Sequence, residues 1–203
     1  FIVDAVLETE DRGRRATERW PPFSQQAGGV VSLDGDHNDV GAGPQRGRTE
    51  IWGSVDGAPY TLLERVYDRS SCLYHKVLDA NEALGRYQEI GLVQAKEMYT
   101  EAVTNRNLTT CWEHEDEQDE LRSFSLFRLA LISAYEGDPA AAAENVSQLE
   151  QAYPDSIFAQ LGQAWLGAYQ GGNDIAAACA AATQFATDNP AAYAGLSDYG
   201  YSN

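Results

Sequence analysis

Apolar side chains recur at helical spacing between Leu121 and Pro190, and the pattern repeats after 34 residues. Within each copy the bulky side chains are three or four residues apart, which places them on one face of a helix. The matching positions are Phe124, Phe127, Leu131, Ala134, Tyr135 and Gly137 in the first copy and Phe158, Leu161, Trp165, Ala168, Tyr169 and Gly171 in the second. A repeat of this length predicts a solenoid of antiparallel helix pairs. We expect Tyr135 and Tyr169 in equivalent places, and Trp165 buried between successive hairpins.

Local signals mark the ends of these helices. The run Gly171-Gly172-Asn173 ends one helix, and Asp174 is placed to cap the next. Asp138 has the same role in the first copy, where Pro139 follows at the first helical position. The two copies therefore predict four helices with defined starting points.

The spacing Phe158-x2-Leu161-Gly162-x2-Trp165 resembles the first helix of the tetratricopeptide repeat. The run Tyr153-Pro154-Asp155-Ser156 resembles the link between repeats in extracytoplasmic bacterial members of that superfamily. Upstream, Leu84-Gly85 followed by Ala95-x3-Tyr99-x2-Ala102 resembles a diverged third repeat, with an internal gap two residues short. The resemblance covers about residues 70–196. It implies protein or peptide binding on a concave face, without catalysis.

Composition narrows the function classes. The chain has 203 residues, 43 % of them hydrophobic, and no apolar run approaches the length that crosses a bilayer. Its net charge of −17 is concentrated in residues 101–203, which hold 15 acidic and 3 basic side chains. No Lys or Arg follows Arg128. An acidic surface of this kind repels phosphate backbones and anionic lipids, so nucleic acids and membranes are not expected partners.

The ends and the cysteines suggest a location. The chain begins with Phe1 and holds a single Met, which agrees with export and removal of a signal. Cys72 and Cys111 occupy neighbouring ends of a predicted hairpin, so we expect a disulfide that stabilises by about 4 kcal/mol. Two separate buried thiols are the alternative. Cys179 is expected to be a free core residue. These features predict an extracellular or otherwise extracytoplasmic location.

Residues 1–59 are predicted to form an irregular N-terminal arm, because the stretch after Trp20 is rich in Gly and Pro and lacks helical periodicity. Ile51 to Val55 and Ala58 to Leu62, joined by Asp56-Gly57, are candidates for a small β-hairpin. The fold class is thus all-α: a tetratricopeptide-like solenoid of helix pairs, preceded by an irregular arm with this hairpin.

Residues 60–203 are predicted to form the helical domain. The pattern Thr61-x2-Glu64 is typical of a capping box and predicts a helix that continues to Tyr67. Ser70 or Ser71 is expected to cap the next helix, which leads to a turn near Gly91. A partner helix from Leu92 to Val103 completes that hairpin.

Candidate metal and catalytic residues are sparse. Asp34, Asp36 and Asn38 have the oxygen spacing with which calcium loops begin, but Asp39 and Gln45 replace the Gly and Glu that such loops need later. A polar turn is therefore the favoured interpretation. The three histidines, His37, His75 and His114, fall in separate predicted segments, and no nucleophile or phosphate-binding motif is present. We expect neither enzymatic activity nor a cofactor.

Two glycosylation sequons occur, Asn107-Leu108-Thr109 and Asn145-Val146-Ser147. Asn107 is predicted to lie in a loop, where a glycan can attach, whereas Asn145 is predicted to lie inside a helix. Chance occurrence is the alternative for both sequons.

Two hypotheses on function remain. In the first, the chain is an exported structural protein that assembles head to tail, through its N-terminal arm, into an oligomer or filament. In the second, it is a monomeric adaptor that binds a peptide or protein in its groove. The residues expected to make the head-to-tail contact are Phe1, Ile2, Val3, Val6, Leu7, Arg12 and Arg15 at one end, and Tyr193, Leu196 and Tyr199 at the other.

Overall fold

The structure is a computed structural model that describes residues 25–26, 30–35, 48–53, 61–85, 89–111 and 115–190. The described strands and the described helices belong to two separate compact units, and the division between them falls between Ser70 and Ser71. This division lies eleven residues beyond the boundary at 59/60 that the sequence suggested. Each unit is described below by itself.

The first unit contains an antiparallel sheet of four strands in sequential order. Its strands are β1 (Gln25–Gln26), β2 (Val30–Gly35), β3 (Arg48–Gly53) and β4 (Thr61–Tyr67). A hairpin is present where one was expected, since β3 pairs with β4, but β4 overlaps the expected second strand only at Thr61 and Leu62. β2 extends the sheet on the other side of β3, so β1, β2 and β3 lie within the stretch 1–59 that was expected to be irregular apart from the hairpin. A register irregularity between Ile51 and Trp52 interrupts the β3–β4 ladder.

The segment Thr61–Tyr67 is a strand, so the capping-box helix predicted here was wrong. A helix of seven residues forms few internal hydrogen bonds after a costly nucleation step. As a strand, the same segment pairs with β3 from Arg48↔Tyr67 to Gly53↔Thr61. The neighbouring strand therefore decided the conformation against the local cap signal.

The second unit is helical from Leu73 onward, which confirms the all-α expectation for this part of the chain. Within the described residues, Gly91 lies inside the second helix, so the turn of the first hairpin comes before Glu89 and not near Gly91. No helix in the described part of the chain is both long and apolar enough to span a bilayer. The helices are α1 (Leu73–Gly85), α2 (Glu89–Thr104), α3 (Glu117–Tyr135), α4 (Pro139–Ala152), α5 (Ile157–Tyr169) and α6 (Ile175–Asp188).

The six helices pack as three successive hairpins. Each helix contacts the next one along the chain, and the first helices of neighbouring hairpins also touch, α1 with α3 and α3 with α5. Aromatic side chains join these first helices: Phe124 of α3 meets Phe158 of α5 edge-on at 5.4 Å between ring centroids. These two residues are 34 positions apart, the interval at which the apolar pattern recurs in the sequence, so this contact joins two matching positions of the second and third hairpins.

Trp165 is fully buried, as predicted from the repeat. Its ring lies edge-on to Phe127 of the preceding hairpin at 6.5 Å and stacks on Tyr169 at 4.9 Å. The expected equivalence of Tyr135 and Tyr169 was wrong in burial, because Tyr135 is 59 % exposed. Tyr169 has the Trp165 ring four residues before it to pack on, whereas Tyr135 has Leu131 at that position.

The predicted caps Asp138 and Asp174 are confirmed, whereas α1 begins at Leu73, beyond the expected cap at Ser70 or Ser71 and two residues after the latter. Asp138 accepts a hydrogen bond from the backbone N–H of Ala141 at 2.9 Å, with Pro139 opening α4. Asp174 accepts from two N–H groups at the start of α6, and Ser156 caps α5 in the same way. Each cap satisfies donors that the first turn of a helix leaves without partners. These local bonds position the hairpins that carry the candidate sites.

Candidate functional site

The start of α1 is covalently tied to the segment that follows α2. Cys72 and Cys111 form a disulfide with their Cα atoms 5.5 Å apart, which confirms the predicted bridge. Backbone hydrogen bonds join the same two segments: Leu73 N donates to Thr109 O, and Thr109 N donates to Ser71 O, both at 2.9 Å. The two cysteines are thus held together by main-chain bonds as well as by the sulfur–sulfur bond.

A histidine lies beside this disulfide. His75 is buried on the first turn of α1, and a ligand nitrogen of its ring lies within 4.8 Å of the sulfur atoms of Cys72 and Cys111. Cys72 is buried as well, whereas Cys111 is exposed. The backbone N–H of Cys111 also makes a long hydrogen bond of 3.5 Å to a carboxylate oxygen of the buried Glu117. A buried imidazole, two sulfur atoms and a carboxylate therefore lie together where the disulfide joins the two ends of the first hairpin.

A polar cluster lies between the first two hairpins. The hydroxyl of the buried Tyr99 on α2 donates to the side-chain oxygen of Asn81 on α1. Burial raises the pKa of Tyr99 from 10.0 to about 12, and the positive charge of Arg128 opposes this rise. A neutral, hydrogen-bonded phenol is the form that this environment favours.

Arg128 of α3 is the buried cation of this cluster. Its side chain is 1 % exposed, and its guanidinium carbon lies 5.0 Å from the centroid of the Phe124 ring. None of its three guanidinium nitrogens makes a hydrogen bond of ordinary geometry to a described residue. A buried charge without such bonds is costly, and the contact with the aromatic face offsets only part of that cost.

An ion pair joins the two helices of the first hairpin at their surface. Lys76 of α1 and Glu101 of α2 are 2.8 Å apart, and the hydrogen bond from Lys76 lowers the pKa of the Glu101 carboxyl. Both side chains reach solvent, so the pair contributes little to stability. A second pair, Lys96 with Glu136, joins α2 to the end of α3.

The exposed side chains of α6 are small and apolar in its first two turns and polar in its later turns, where they are Thr183, Gln184, Thr187 and Asp188. Asp188 is the one charged residue of this helix. Ala178, Ala182 and Ala186 are buried, whereas the side chains that face outward include Ala176, Ala177 and Ala180. We call these three exposed alanines the α6 outer face. A surface of this kind offers close approach to another helix or chain.

Cys179 is a free thiol on α6, as predicted. Its side chain is half-buried, and burial raises the pKa of the thiol, with the nearby Trp165 indole acting in the opposite direction. A raised pKa keeps the sulfur in its unreactive thiol form. The half-buried environment of Cys179 therefore disfavours the reactive thiolate.

Several predicted site residues lie outside the described part of the chain. The arm residues Phe1, Ile2, Val3, Val6, Leu7, Arg12 and Arg15, the C-terminal Tyr193, Leu196 and Tyr199, and the loop residues Asp36 and Asn38 are among them, as are His37 and His114. Asp34 lies on β2, where only its backbone is described. The calcium-loop prediction and the head-to-tail contact therefore remain predictions.

The two sequons differ in accessibility. Asn107 is exposed in the turn after α2, as predicted for a glycan acceptor. Asn145 lies inside α4, and its amide nitrogen donates to Ala141 O at 2.9 Å and to the Ser133 hydroxyl at 3.3 Å. An amide engaged in this way is a poorer acceptor for a glycan than an exposed one.

Comparison of the sequence with models of protein families and with curated proteins finds no match.

Two features of these sites were missed in the sequence. His75 follows Cys72 by three residues, one helical turn, and this Cys-x2-His spacing was a signal that was available before the partner cysteine was known to be close. Arg128 occupies the repeat position that Gly162 occupies 34 residues later. The alignment of the two copies pairs the large cationic side chain of Arg128 with a glycine, but it does not show that Arg128 is buried.

Proposed function

We propose that this chain is a non-enzymatic, exported structural protein that assembles head to tail into an oligomer or filament. Its repeats are tetratricopeptide-like in this proposal, and the first 20 residues of its N-terminal arm are the connecting element. The observation that carries the proposal is the α6 outer face. The disulfide supports an oxidising, extracytoplasmic location, where such bonds persist.

The α6 outer face lies on the last described helix of the stack. Terminal repeats of solenoids usually present a polar outer surface, because an apolar end invites association. Here the first two turns of the end helix present Ala176, Ala177 and Ala180, whereas its later turns present three uncharged polar side chains and the single charge Asp188. Contact between such an end and a different surface of the next copy is heterologous, and it extends indefinitely unless the rotation closes a ring.

Charge supports a head-to-tail polarity in one part of the arm. Residues 12–19 hold four basic side chains, Arg12, Arg14, Arg15 and Arg19, and one acidic side chain, although residues 1–20 as a whole hold five acidic and four basic side chains. Residues 101–203 hold 15 acidic and only 3 basic side chains. A basic stretch opposite an acidic surface speeds the encounter and disfavours contact between two acidic surfaces, while apolar contact supplies most of the affinity. The apolar head of the arm and the α6 outer face are the surfaces that we expect to supply it.

The test is the size of the protein in solution. We expect the full chain to sediment as large, concentration-dependent species that appear as filaments or rings by negative stain. Deletion of residues 1–20 should abolish them while circular dichroism shows the helices retained. A truncated chain that assembles as before would reject the arm as the connector.

A matched pair of surface variants tests the α6 outer face. Ala177→Glu adds a charge to the first turn of α6, and Ala140→Glu adds the same charge to the first turn of α4, where Ala140 is also exposed. Glutamate is tolerated near a helix N-terminus, so both variants should fold. Only Ala177→Glu should reduce assembly; equal behaviour of the two variants would remove the face from the proposal.

A second candidate function is the monomeric adaptor. Val93 is 53 % exposed and Tyr135 is 59 % exposed, and they neighbour the two residues of the Lys96–Glu136 ion pair along their helices. Exposed apolar and aromatic side chains beside a charge pair are typical of surfaces that bind peptides. A full chain that remains monomeric at every concentration would favour this function over assembly.

A further inference from the structure

The cluster of Cys72, His75 and Cys111 has the composition of a metal site as well as of a disulfide. The two sulfur atoms and one imidazole nitrogen all lie within 4.8 Å of one another. In a tetrahedral zinc site, metal–sulfur distances of about 2.3 Å and metal–nitrogen distances of about 2.0 Å place the ligand atoms roughly 3.5–4 Å apart. The imidazole nitrogen is already within 4.8 Å of both sulfur atoms, so only the two sulfur atoms need to separate for the three to reach that spacing.

The backbone holds the three residues together without help from the disulfide. Cys72 directly precedes α1, and His75 follows one turn later, so both side chains lie at the same end and on the same side of this helix. Cys111 comes two residues after Thr109, which exchanges hydrogen bonds with Ser71 and Leu73 at 2.9 Å. A reduced chain therefore keeps a framework in which the two thiols and the imidazole face one another.

We propose that Cys72, His75 and Cys111 form a redox-gated site that, in the reduced chain, binds one borderline-soft divalent ion such as Zn²⁺. A two-electron reductant, a dithiol or a phosphine, first breaks the sulfur–sulfur bond, and two protons go to the two sulfur atoms. The dithiol becomes a disulfide, or the phosphine takes an oxygen from water and becomes a phosphine oxide. The metal ion then displaces both thiol protons and binds two thiolates and the neutral imidazole.

The chemistry of the donors selects the ion. Thiolate and imidazole ligands suit Zn²⁺ and related transition metals, whereas Ca²⁺ and Mg²⁺ need oxygen ligands. Three protein ligands leave the fourth position of a tetrahedral ion open. Disulfide and metal exclude each other because both use the same two sulfur atoms, so oxidation releases the ion.

The experiment uses the full chain and Co²⁺ as a spectroscopic probe. The protein is reduced with a phosphine under anaerobic conditions, freed of reductant and titrated with Co²⁺. We expect thiolate-to-cobalt charge-transfer bands that saturate at one equivalent, and displacement of the cobalt by one equivalent of Zn²⁺. The oxidised chain should show no such bands. Absence of the bands from the reduced chain, or their presence in the oxidised chain, would overturn the proposal.

Three variants assign the ligands. Cys111→Ser should abolish the charge-transfer bands, and His75→Ala should weaken cobalt affinity on the order of tenfold or more, since even outer contacts of metal ligands contribute that much. Cys179→Ser is the matched control and should leave the titration unchanged. If Cys111→Ser does not fold by circular dichroism, His75→Ala decides alone, because it leaves both thiols in place. An unchanged affinity in His75→Ala, or loss of the bands in Cys179→Ser, contradicts the three-residue site.

Discussion

The contact of α2 with α3 and the contact of α4 with α5 occupy equivalent places in the stack but differ in chemistry. At the second contact, Gly162 lets the helices approach so closely that an added Cβ would lie 3.3 Å from Leu149 Cδ2 and 3.5 Å from Val146 Cγ1. At the first, the equivalent residue is Arg128, whose buried guanidinium lies over Phe124 and near Tyr99. One contact is tight and apolar; the other encloses a cation and a phenol.

This difference shows that two contacts between successive hairpins can place their helices alike and still be packed with side chains of different chemistry. The apolar contact derives its stability from area removed from water and from the close fit of the two helices at Gly162. The polar contact carries the cost of a buried charge, and its phenol, Tyr99, donates a hydrogen bond to Asn81 of α1. We therefore expect truncation of a buried apolar side chain to destabilise the stack and replacement of the buried cation to stabilise it.

The largest effect should come from truncation of a buried apolar side chain. Trp165→Ala removes a fully buried indole that packs on Phe127 and Tyr169, and we expect a loss of about 3–5 kcal/mol in the free energy of unfolding. Chemical denaturation measures it. Tyr135→Ala is the control, since the exposed tyrosine should change stability by less than about 0.5 kcal/mol. A loss below about 1 kcal/mol for Trp165→Ala would mean that the hairpins do not stack as described.

Reduction of the disulfide should have a comparable effect on the first hairpin. The bridge spans 39 residues, and closing a loop of that length stabilises by about 4 kcal/mol in the chain-entropy model. Thermal unfolding with and without a phosphine, at a fixed protein concentration and without metal ions, should show a clear decrease in Tm on reduction. Peptide mapping without reductant should find Cys179 alkylated alone; alkylation of both Cys72 and Cys111 would contradict the bridge.

Replacing the buried cation should stabilise the polar contact. Arg128→Leu keeps an apolar side chain beside Phe124 and removes a guanidinium that makes no hydrogen bond of ordinary geometry to a described residue. Replacement of buried charges by packed apolar side chains often raises stability by about 1–4 kcal/mol. Arg106→Leu, at an exposed position, is the control and should be nearly neutral. A loss of stability in Arg128→Leu would show that a compensating anionic partner is present at this contact.

The smallest effect at neutral pH should come from the phenol. Tyr99→Phe removes the hydrogen bond to Asn81, and we expect a loss of about 1 kcal/mol. The pH dependence should be more distinctive. Burial raises the pKa of Tyr99 from 10.0 to about 12, so the unfolded chain releases this proton at a lower pH than the folded chain does. The contribution of the protonated phenol to stability is therefore fully present below pH 10 and is lost as the pH rises toward 12.

Denaturation at about pH 9 and about pH 11 separates this contribution from the loss of the hydrogen bond. The decrease in stability between the two pH values should be smaller in Tyr99→Phe than in the original chain, by an amount set by the pKa shift. Tyr135→Phe, which changes an exposed phenol, should leave the decrease as it is. Equal decreases in all three proteins would mean that Tyr99 titrates in the folded state as it does in the unfolded one.

The sequence predicted those features that depend on neighbours within a few residues. Asp138 with Pro139, and Asp174 after two glycines, marked helix starts because a cap and its N–H partners are at most three residues apart. Bulky residues at 34-residue spacing marked the stacked hairpins, since each hairpin repeats the same short-range pattern. Hairpin geometry also sufficed to pair Cys72 with Cys111.

Tertiary structure decided what local patterns leave open. Thr61–Tyr67 carries a helix cap signal, but it pairs with β3 and is a strand. A short helix leaves many of its backbone N–H and C=O groups without partners, whereas a neighbouring antiparallel strand provides hydrogen bonds to them. Tyr135 and Tyr169 match in sequence, and only the Trp165 ring buries one of them. His75 reads as an isolated histidine until the chain returns 36 residues later with Cys111. Burial and proximity are properties of the folded chain, so the polar contact at Arg128 and the cysteine–histidine cluster arise only when distant segments meet.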